Sequence, residues 1–264
     1  MSMRNRVNIP EKYIYCLYHT DEVNAARYLF GKDFNKSNFV KIIINNEEID
    51  INQLLDANGA PGGWRYRFPT QGDYHIKFYL KDDVENLDYM FYDVDKLVTC
   101  DFYNFNKNNI KTMIGMFQEC GNVTTVNFRD FNARTLLNVC NLFNACVKLT
   151  KVNFGKNFRT SSLLEAANMF HKCNLISVID MRYLILEKCT FYNKIWANCP
   201  NLSKLYLNTK IDTLKSDLTS NLFVNSNKEG ATIYIDTTNE SLMYLCDYLP
   251  SNWTIVDFNS YEDL

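Results

Sequence analysis

Thiols and imidazoles are the side chains to weigh first, because they can attack, shuttle protons or hold a metal ion. Four of the nine cysteines, Cys120, Cys146, Cys173 and Cys199, recur at spacings of 26, 27 and 26 residues. Zinc sites bring ligands close in pairs such as C-x2-C, and the chain holds no such pair. The four therefore read as small buried side chains, interchangeable with Val94 at the head of the series, and no metal or cofactor is expected. Cys140 and Cys146, six apart, are expected to be a reduced pair. Of the three histidines, His19 lies near Asp21 and Glu22 but has no recognisable nucleophile or third ligand. His75 falls between Tyr74 and Ile76, whose side chains point inward, so it points outward, and His171 occupies a variable, solvated slot. The Gly59–Gly63 cluster is a turn without the Lys-Ser/Thr of a phosphate loop. A catalytic centre is not expected.

The cysteines belong to a larger period. The pairs Met90-Phe91, Met116-Phe117, Leu142-Phe143, Met169-Phe170 and Ile195-Trp196 recur at 26, 26, 27 and 26 residues. Three residues after each aromatic stands Val94 or one of the four cysteines, and three further on an aliphatic residue, from Leu97 to Leu202. A strand-like couplet follows each time: Cys100/Phe102, Val126/Phe128, Val152/Phe154, Ile179/Met181, Leu205/Leu207. The extra residue of the third unit falls between Phe154 and Phe158. Degenerate units flank the five, one at Tyr74/Ile76 and one from Leu222-Phe223 to Ile233/Ile235.

Each unit is too small to bury its own apolar side, so the units must stack, with Phe91, Phe117, Phe143, Phe170 and Trp196 in a shared core beside the cysteines. Leu136, Cys140 and Phe143 stand at i, i+4 and i+7, and Ile110, Met113 and Phe117 repeat a similar spacing, which predicts a short helix in each unit. The expected fold class is an α/β repeat, a solenoid with a parallel sheet on one face and short helices on the other. Residues 72–264 form this solenoid with its C-terminal cap: a strand at 231–236, a helix at 240–248 and a closing strand at Trp253–Val256. Residues 1–71 form a small β-rich cap or module, with strands at 13–18 and 40–44 and a helix at 21–30 between them.

Between the inward residues of the couplets stand His75, Asp101, Asn127, Asn153, Asp180, Tyr206 and Tyr234, with Lys151 and Lys204 among the adjacent outward positions. Stacking would align them as a stripe on the concave face, the best candidate for contact with other proteins, since tyrosine is enriched at binding hot spots. Charge excludes other partners. Lys+Arg 28 against Asp+Glu 30 leaves a net charge of -2, with no basic excess for nucleic acid. The longest apolar run, Tyr13–Tyr18, is far short of the roughly 20 residues that span a membrane, so no membrane insertion is expected.

Met-Phe-x-x-Cys-x-x-Val-x-x-Val-x-Phe-x-x-Phe, as it stands at Met116–Phe131, resembles the 26-residue repeat of BspA-like leucine-rich-repeat proteins. It is also similar to the repeat of a family of Mycoplasma surface lipoproteins. The closing segment Ala231-Thr-Ile-Tyr-Ile-Asp, with a following helix and Trp253, is similar to that family's last unit. The resemblance covers residues 72 to 260 and implies a right-handed solenoid without a catalytic centre, commonly displayed for adhesion. The start of the chain lacks an export signal, which surface relatives carry. A non-enzymatic bacteriophage virion component, of head or tail, is therefore the first expectation, and a surface adhesin of a bacterium or protist the alternative.

Overall fold

The computed structural model of the chain describes residues 11–31, 33–56, 63–103, 105, 107–129, 131–208, 221–227 and 229–258. Of the turn cluster at 59–63, all but Gly63 lies outside them. Seven strands precede the rungs: β1 (Ile14–Thr20), β2 (Ala25–Phe30), β3 (Phe39–Ile44), β4 (Glu47–Ile49), β5 (Leu55–Asp56), β6 (Trp64–Phe68) and β7 (Gly72–Leu80). One strand per rung follows: β8 (Leu97–Asp101), β9 (Thr125–Asn127), β10 (Lys151–Asn153), β11 (Val178–Met181), β12 (Lys204–Leu207) and β13 (Thr232–Ile235). Helix α1 (Glu240–Cys246) and strand β14 (Thr254–Asp257) close the array.

The architecture is a β-solenoid, which corrects the expected α/β leucine-rich-repeat class. Among the described residues α1 is the one α-helix, and it lies in the cap. Where short helices were expected, each rung carries two residues of positive φ, four apart: Tyr89 and Asp93, Gly115 and Glu119, Asn141 and Ala145, Asn168 and Lys172, Lys194 and Asn198. A left-handed residue ends a right-handed helix. The freed amides then bond along the stack. Phe91 N–H donates to Met116 O at 2.8 Å, Phe117 to Leu142 at 3.0 Å, Phe143 to Met169 at 2.9 Å and Phe170 to Ile195 at 2.8 Å. A second column of parallel bridges joins Asn86, Thr112, Asn138, Glu165 and Phe191. The i, i+4, i+7 spacing thus comes from tight turns that return to one inner side. Gly115 holds a left-handed slot in which a Cβ would stand 2.7 Å from the Tyr89 ring.

The helix expected at 21–30 is instead β2, in antiparallel register with β6 through Arg27–Tyr66 and Tyr28–Arg65. The Tyr74/Ile76 couplet is likewise no rung of the parallel ladder. It belongs to β7, which pairs antiparallel with β1 and β3, and β1 lies between β7 and β8 in a seven-stranded sheet of order β10-β9-β8-β1-β7-β3-β4. A four-stranded parallel sheet, β11-β12-β13-β14, and a three-stranded one, β2-β6-β5, complete the fold. One contiguous cluster of buried side chains runs from Ile14 to Trp253.

Three columns of rings fill the rungs. Phe91, Phe117, Phe143 and Phe170 stack at 5.5, 5.5 and 5.3 Å; Phe102, Phe128 and Phe154 at 4.7 and 5.6 Å; Phe105, Phe131 and Phe158 at 5.7 and 5.6 Å. Trp196 stacks on Phe223 at 5.0 Å. Burial of each Phe is worth roughly 1.5–3 kcal/mol before ordering entropy, which explains why single rungs need neighbours. The cysteines do more than fill space. Each thiol donates to the carbonyl of the aromatic one rung before: Cys120 to Phe91 at 2.8 Å, Cys146 to Phe117 at 2.9 Å, Cys173 to Phe143 at 3.1 Å and Cys199 to Phe170 at 3.0 Å. In the next rung Ser226 donates to Trp196 O in the same way. Val94 heads the series with no thiol.

Candidate binding face

Register places the outward residues in two rows across the sheets. The first runs Lys77, Tyr15, Asp101, Asn127, Asn153 and, beyond a break, Asp180, Tyr206, Tyr234, Val256. The second runs His75, Leu17, Thr99, Thr125, Lys151 and then Val178, Lys204, Thr232, Thr254. His75 therefore aligns with Lys151 and Lys204, not with Asp101. Tyr15 and Leu17 were invisible to the period because β1 enters the sheet from a distant part of the chain.

The polar members of the first row have structural duties. Asn127, Asn153 and Asp180 each accept, through Oδ1, the amide two residues ahead: Arg129 at 3.3 Å, Gly155 at 3.0 Å and Arg182 at 3.1 Å. This Asx turn ends the strand, which accounts for the recurrence of Asn and Asp there. Asp101 accepts from Asn127 Nδ2 at 3.2 Å and pairs with Arg129 Nε at 2.6 Å; Asp180 pairs with Arg182 Nη2 at 2.7 Å. His75 Nδ1 lies 2.6 Å from the Tyr15 hydroxyl.

Three positions of the second row, and the ring pair of the first, differ. Lys151 and Lys204 are exposed, and neither ammonium has an ion pair or hydrogen bond among the described residues. Val178 is 41% exposed. Tyr206 and Tyr234 stack at 4.4 Å with planes 13° apart, the Arg182 guanidinium sits 5.4 Å from the Tyr206 ring, and Phe258 adds a third ring at 6.2 Å. Burial, then the neighbouring Tyr234, raises the Tyr206 hydroxyl above its usual pKa. These rings suit recognition and not proton transfer at neutral pH.

The face is interrupted between β10 and β11. No main-chain hydrogen bond joins these neighbours among the described residues, whereas every other pair of adjacent rung strands is laddered. The break coincides with the one-residue insertion. Gly155, at φ +64, packs so tightly on Arg129 O that an added Cβ would lie 1.8 Å from it. A cleft of about 510 Å³ results, lined by Thr150–Gly155, Ser177, Val178, Asp180 and Tyr183.

Elsewhere the chemistry is structural. His19 Nδ1 contacts Asp73 at 2.7 Å and Nε2 contacts Asp21 at 3.0 Å; these hydrogen bonds, Asp73 first, raise its pKa. His171 does not stand free in solvent as expected. It is half-buried in a column with Asn144 at 3.1 Å and Asn198 at 2.8 Å, and burial lowers its pKa. Burial pushes the Cys199 thiol up to about 12, and Cys120, Cys146 and Cys173 are also raised, so thiolate chemistry is suppressed. Among the described residues no group of three or more His, Cys, Asp or Glu could hold a metal ion. No helix among them is long and apolar enough to cross a membrane.

Residues 69–179 match the sequence model of a family described as Mycoplasma protein of unknown function, DUF285. No curated protein matches the chain. Among solved structures, the crystal structure of the pneumococcal vaccine antigen PcpA is similar over 68% of this chain, at 13% identity and a TM-score of 0.40. The alignment covers 47% of that antigen, so this chain spans less than half its length. Neither finding points to a bacteriophage particle, the reading placed first on sequence grounds, and neither supports a leucine-rich repeat. The chain is a repeat solenoid, and the Mycoplasma family match covers β7 and its rungs from β8 to the start of β11.

Proposed function

We propose that this chain is a non-enzymatic adhesin-type protein displayed on a cell surface, where its outward sheet face binds host or matrix proteins. The observation that carries this reading is the composition of that face beyond the sheet break. Unpaired Lys204, exposed Val178 and the partly exposed Tyr206 ring, stacked on Tyr234, adjoin there. The family match and the resemblance of the repeat to Mycoplasma surface lipoproteins support cellular display over a virion role.

Trypsin shaving of intact cells tests display. Peptides from this chain are expected in the shaved fraction while a cytosolic marker stays inside; recovery only after lysis would overturn the reading. Binding is then measured by layering the purified chain over immobilised fibronectin, laminin and collagen. Tyr206→Ala with Lys204→Glu should weaken retention on whichever surface holds the wild type.

A further inference from the structure

The two ends of the rung array are finished differently. At its first rung, β8 is closed by an antiparallel strand, β1, which lays Cys16 on Cys100 and leaves both buried. At its last, β14 pairs with β13 alone among the described residues. Thr254 N–H donates to Ala231 O at 2.8 Å, so Thr254 and Val256 direct their main chain toward β13. Alternation then turns the N–H and C=O of Ile255 to the free side, where no described strand meets them. The side chains agree. Ile255 continues the inward column Ile179, Leu205, Ile233, whose members are 2%, 0% and 0% exposed, yet is itself 39% exposed. A core column thus ends uncovered beside an unpaired strand edge.

Charge selects among occupants. From Glu229 to Leu264 the sequence holds seven carboxylate side chains and no lysine or arginine. Two of them stand together where the last strands end: Asp236 follows β13, and Asp257, the last residue of β14, accepts from Thr237 N–H at 3.3 Å through Oδ1. A second copy's β14 would bring the same carboxylates against them, and the chain's own residues 259–264 carry Glu262 and Asp263. Either would add like charge at the edge, whereas a basic strand would neutralise it.

We propose that the free edge of β14 binds an extended basic segment of a partner protein, which adds as the next strand of the four-stranded sheet. The segment's main chain bonds to the N–H and C=O of Ile255. Its inward side chains are apolar and cover Ile255, as β1 covers the first rung, and its lysines or arginines meet the carboxylates around Asp236 and Asp257. This edge lies at the end of the stack and not on the outward rows, so the proposal stands whether or not the chain is displayed on a cell.

Fluorescence anisotropy on the full chain tests it with three labelled octapeptides: alternating Lys-Val, alternating Asp-Val, and Lys-Val N-methylated at every amide. Lys-Val is expected to bind, and the other two to bind at least about tenfold more weakly. Ile255→Pro removes the outward N–H, and an edge strand tolerates proline on that side. Its circular dichroism should match the wild type while Lys-Val binding falls by a similar factor. Should that variant fail to fold, Asp236→Asn with Asp257→Asn keeps the acceptor oxygens and should still weaken Lys-Val binding several-fold. Equal binding of the three peptides, no binding of Lys-Val, or undiminished binding by a folded Ile255→Pro or by the double asparagine variant would each overturn the proposal. So would a dimer that Ile255→Pro dissolves, or Lys-Val binding that appears only after residues 259–264 are removed, since each assigns the edge to another occupant. Slowed hydrogen exchange at the Ile255 amide on adding Lys-Val would support it, and exchange unchanged there would sink it.

Discussion

The two halves of the rung array, β8–β10 and β11–β14, solve the same packing problem with opposite placements of their aromatic residues. Before the break the couplets end inward in Phe102, Phe128 and Phe154, stacked on one another, while the outward row is Asp101, Asn127 and Asn153, occupied with turns and the Arg129 pair. After it the inward ends are Met181, Leu207 and Ile235, and two further rings stack on the outer row, Tyr206 partly exposed and Tyr234 covered to 7% exposure. A solenoid rung must match its neighbours inside but is free outside. The partly exposed Tyr206 ring answers to less packing demand than the buried phenylalanines, which is why it points to recognition.

This contrast can be broken by substitution. Phe143, stacked between Phe117 and Phe170, is the most demanding position. Phe143→Ala should cost about 3–5 kcal/mol in urea unfolding followed by circular dichroism. A loss near that of a surface change would mean that the ring columns do not hold the stack. Cys146 tests the hydrogen-bonding column. Cys146→Ala removes the thiol donor and leaves Phe117 O with the Cys120 N–H alone, at 3.1 Å, and should cost about 0.5–1.5 kcal/mol, while Cys146→Ser should recover much of that, as Ser226 already serves Trp196. Equal losses for both would reduce the thiol to a space filler. Tyr206→Ala should cost less than Phe143→Ala, about 0.5–1.5 kcal/mol, because its own ring is only partly buried. A cost as large as that at Phe143 would place the outer rings in the folding core.

The smallest effect lies where β1 meets β7, at His19. Its hydrogen bonds to Asp73 and Asp21 raise its pKa above the usual 6.5. Protons therefore bind the folded state more tightly than the unfolded one. The resulting stabilisation is complete below about pH 6.5 and fades as pH rises through the higher folded value. An NMR titration of the imidazole should show the elevated midpoint, and His19→Gln should flatten the stability profile above pH 6.5. An unshifted midpoint would show that the two carboxylates do not hold the ring.

Period, inward positions and the insertion point were legible in residues alone, because every rung must present the same shape to the next. Phe91, Phe117, Phe143, Phe170 and Trp196 are all buried, as are the four cysteines. The helices were misread because i, i+4, i+7 spacing reports a shared face and not the turns that produce it. A better signal lay immediately before three of the aromatic pairs. Gly115, Asn141 and Asn168 occupy that slot, and these types tolerate the left-handed region. On the outer face, Asn127, Asn153 and Asp180 suited a binding stripe equally well by type, and only their i+2 hydrogen bonds reveal the turn-closing role.

What the residues determined unaided was local repetition: one strand per 26 or 27 residues and a dry column of rings and thiols. Tertiary structure alone decided where β1 enters, which outward residues share a row, and that the ladder opens between β10 and β11. Those features depend on pairing between segments far apart in the chain and on the close approach of Gly155 to Arg129 O. Side-chain periodicity records what each rung repeats. It holds no record of where a hydrogen bond between rungs fails to form.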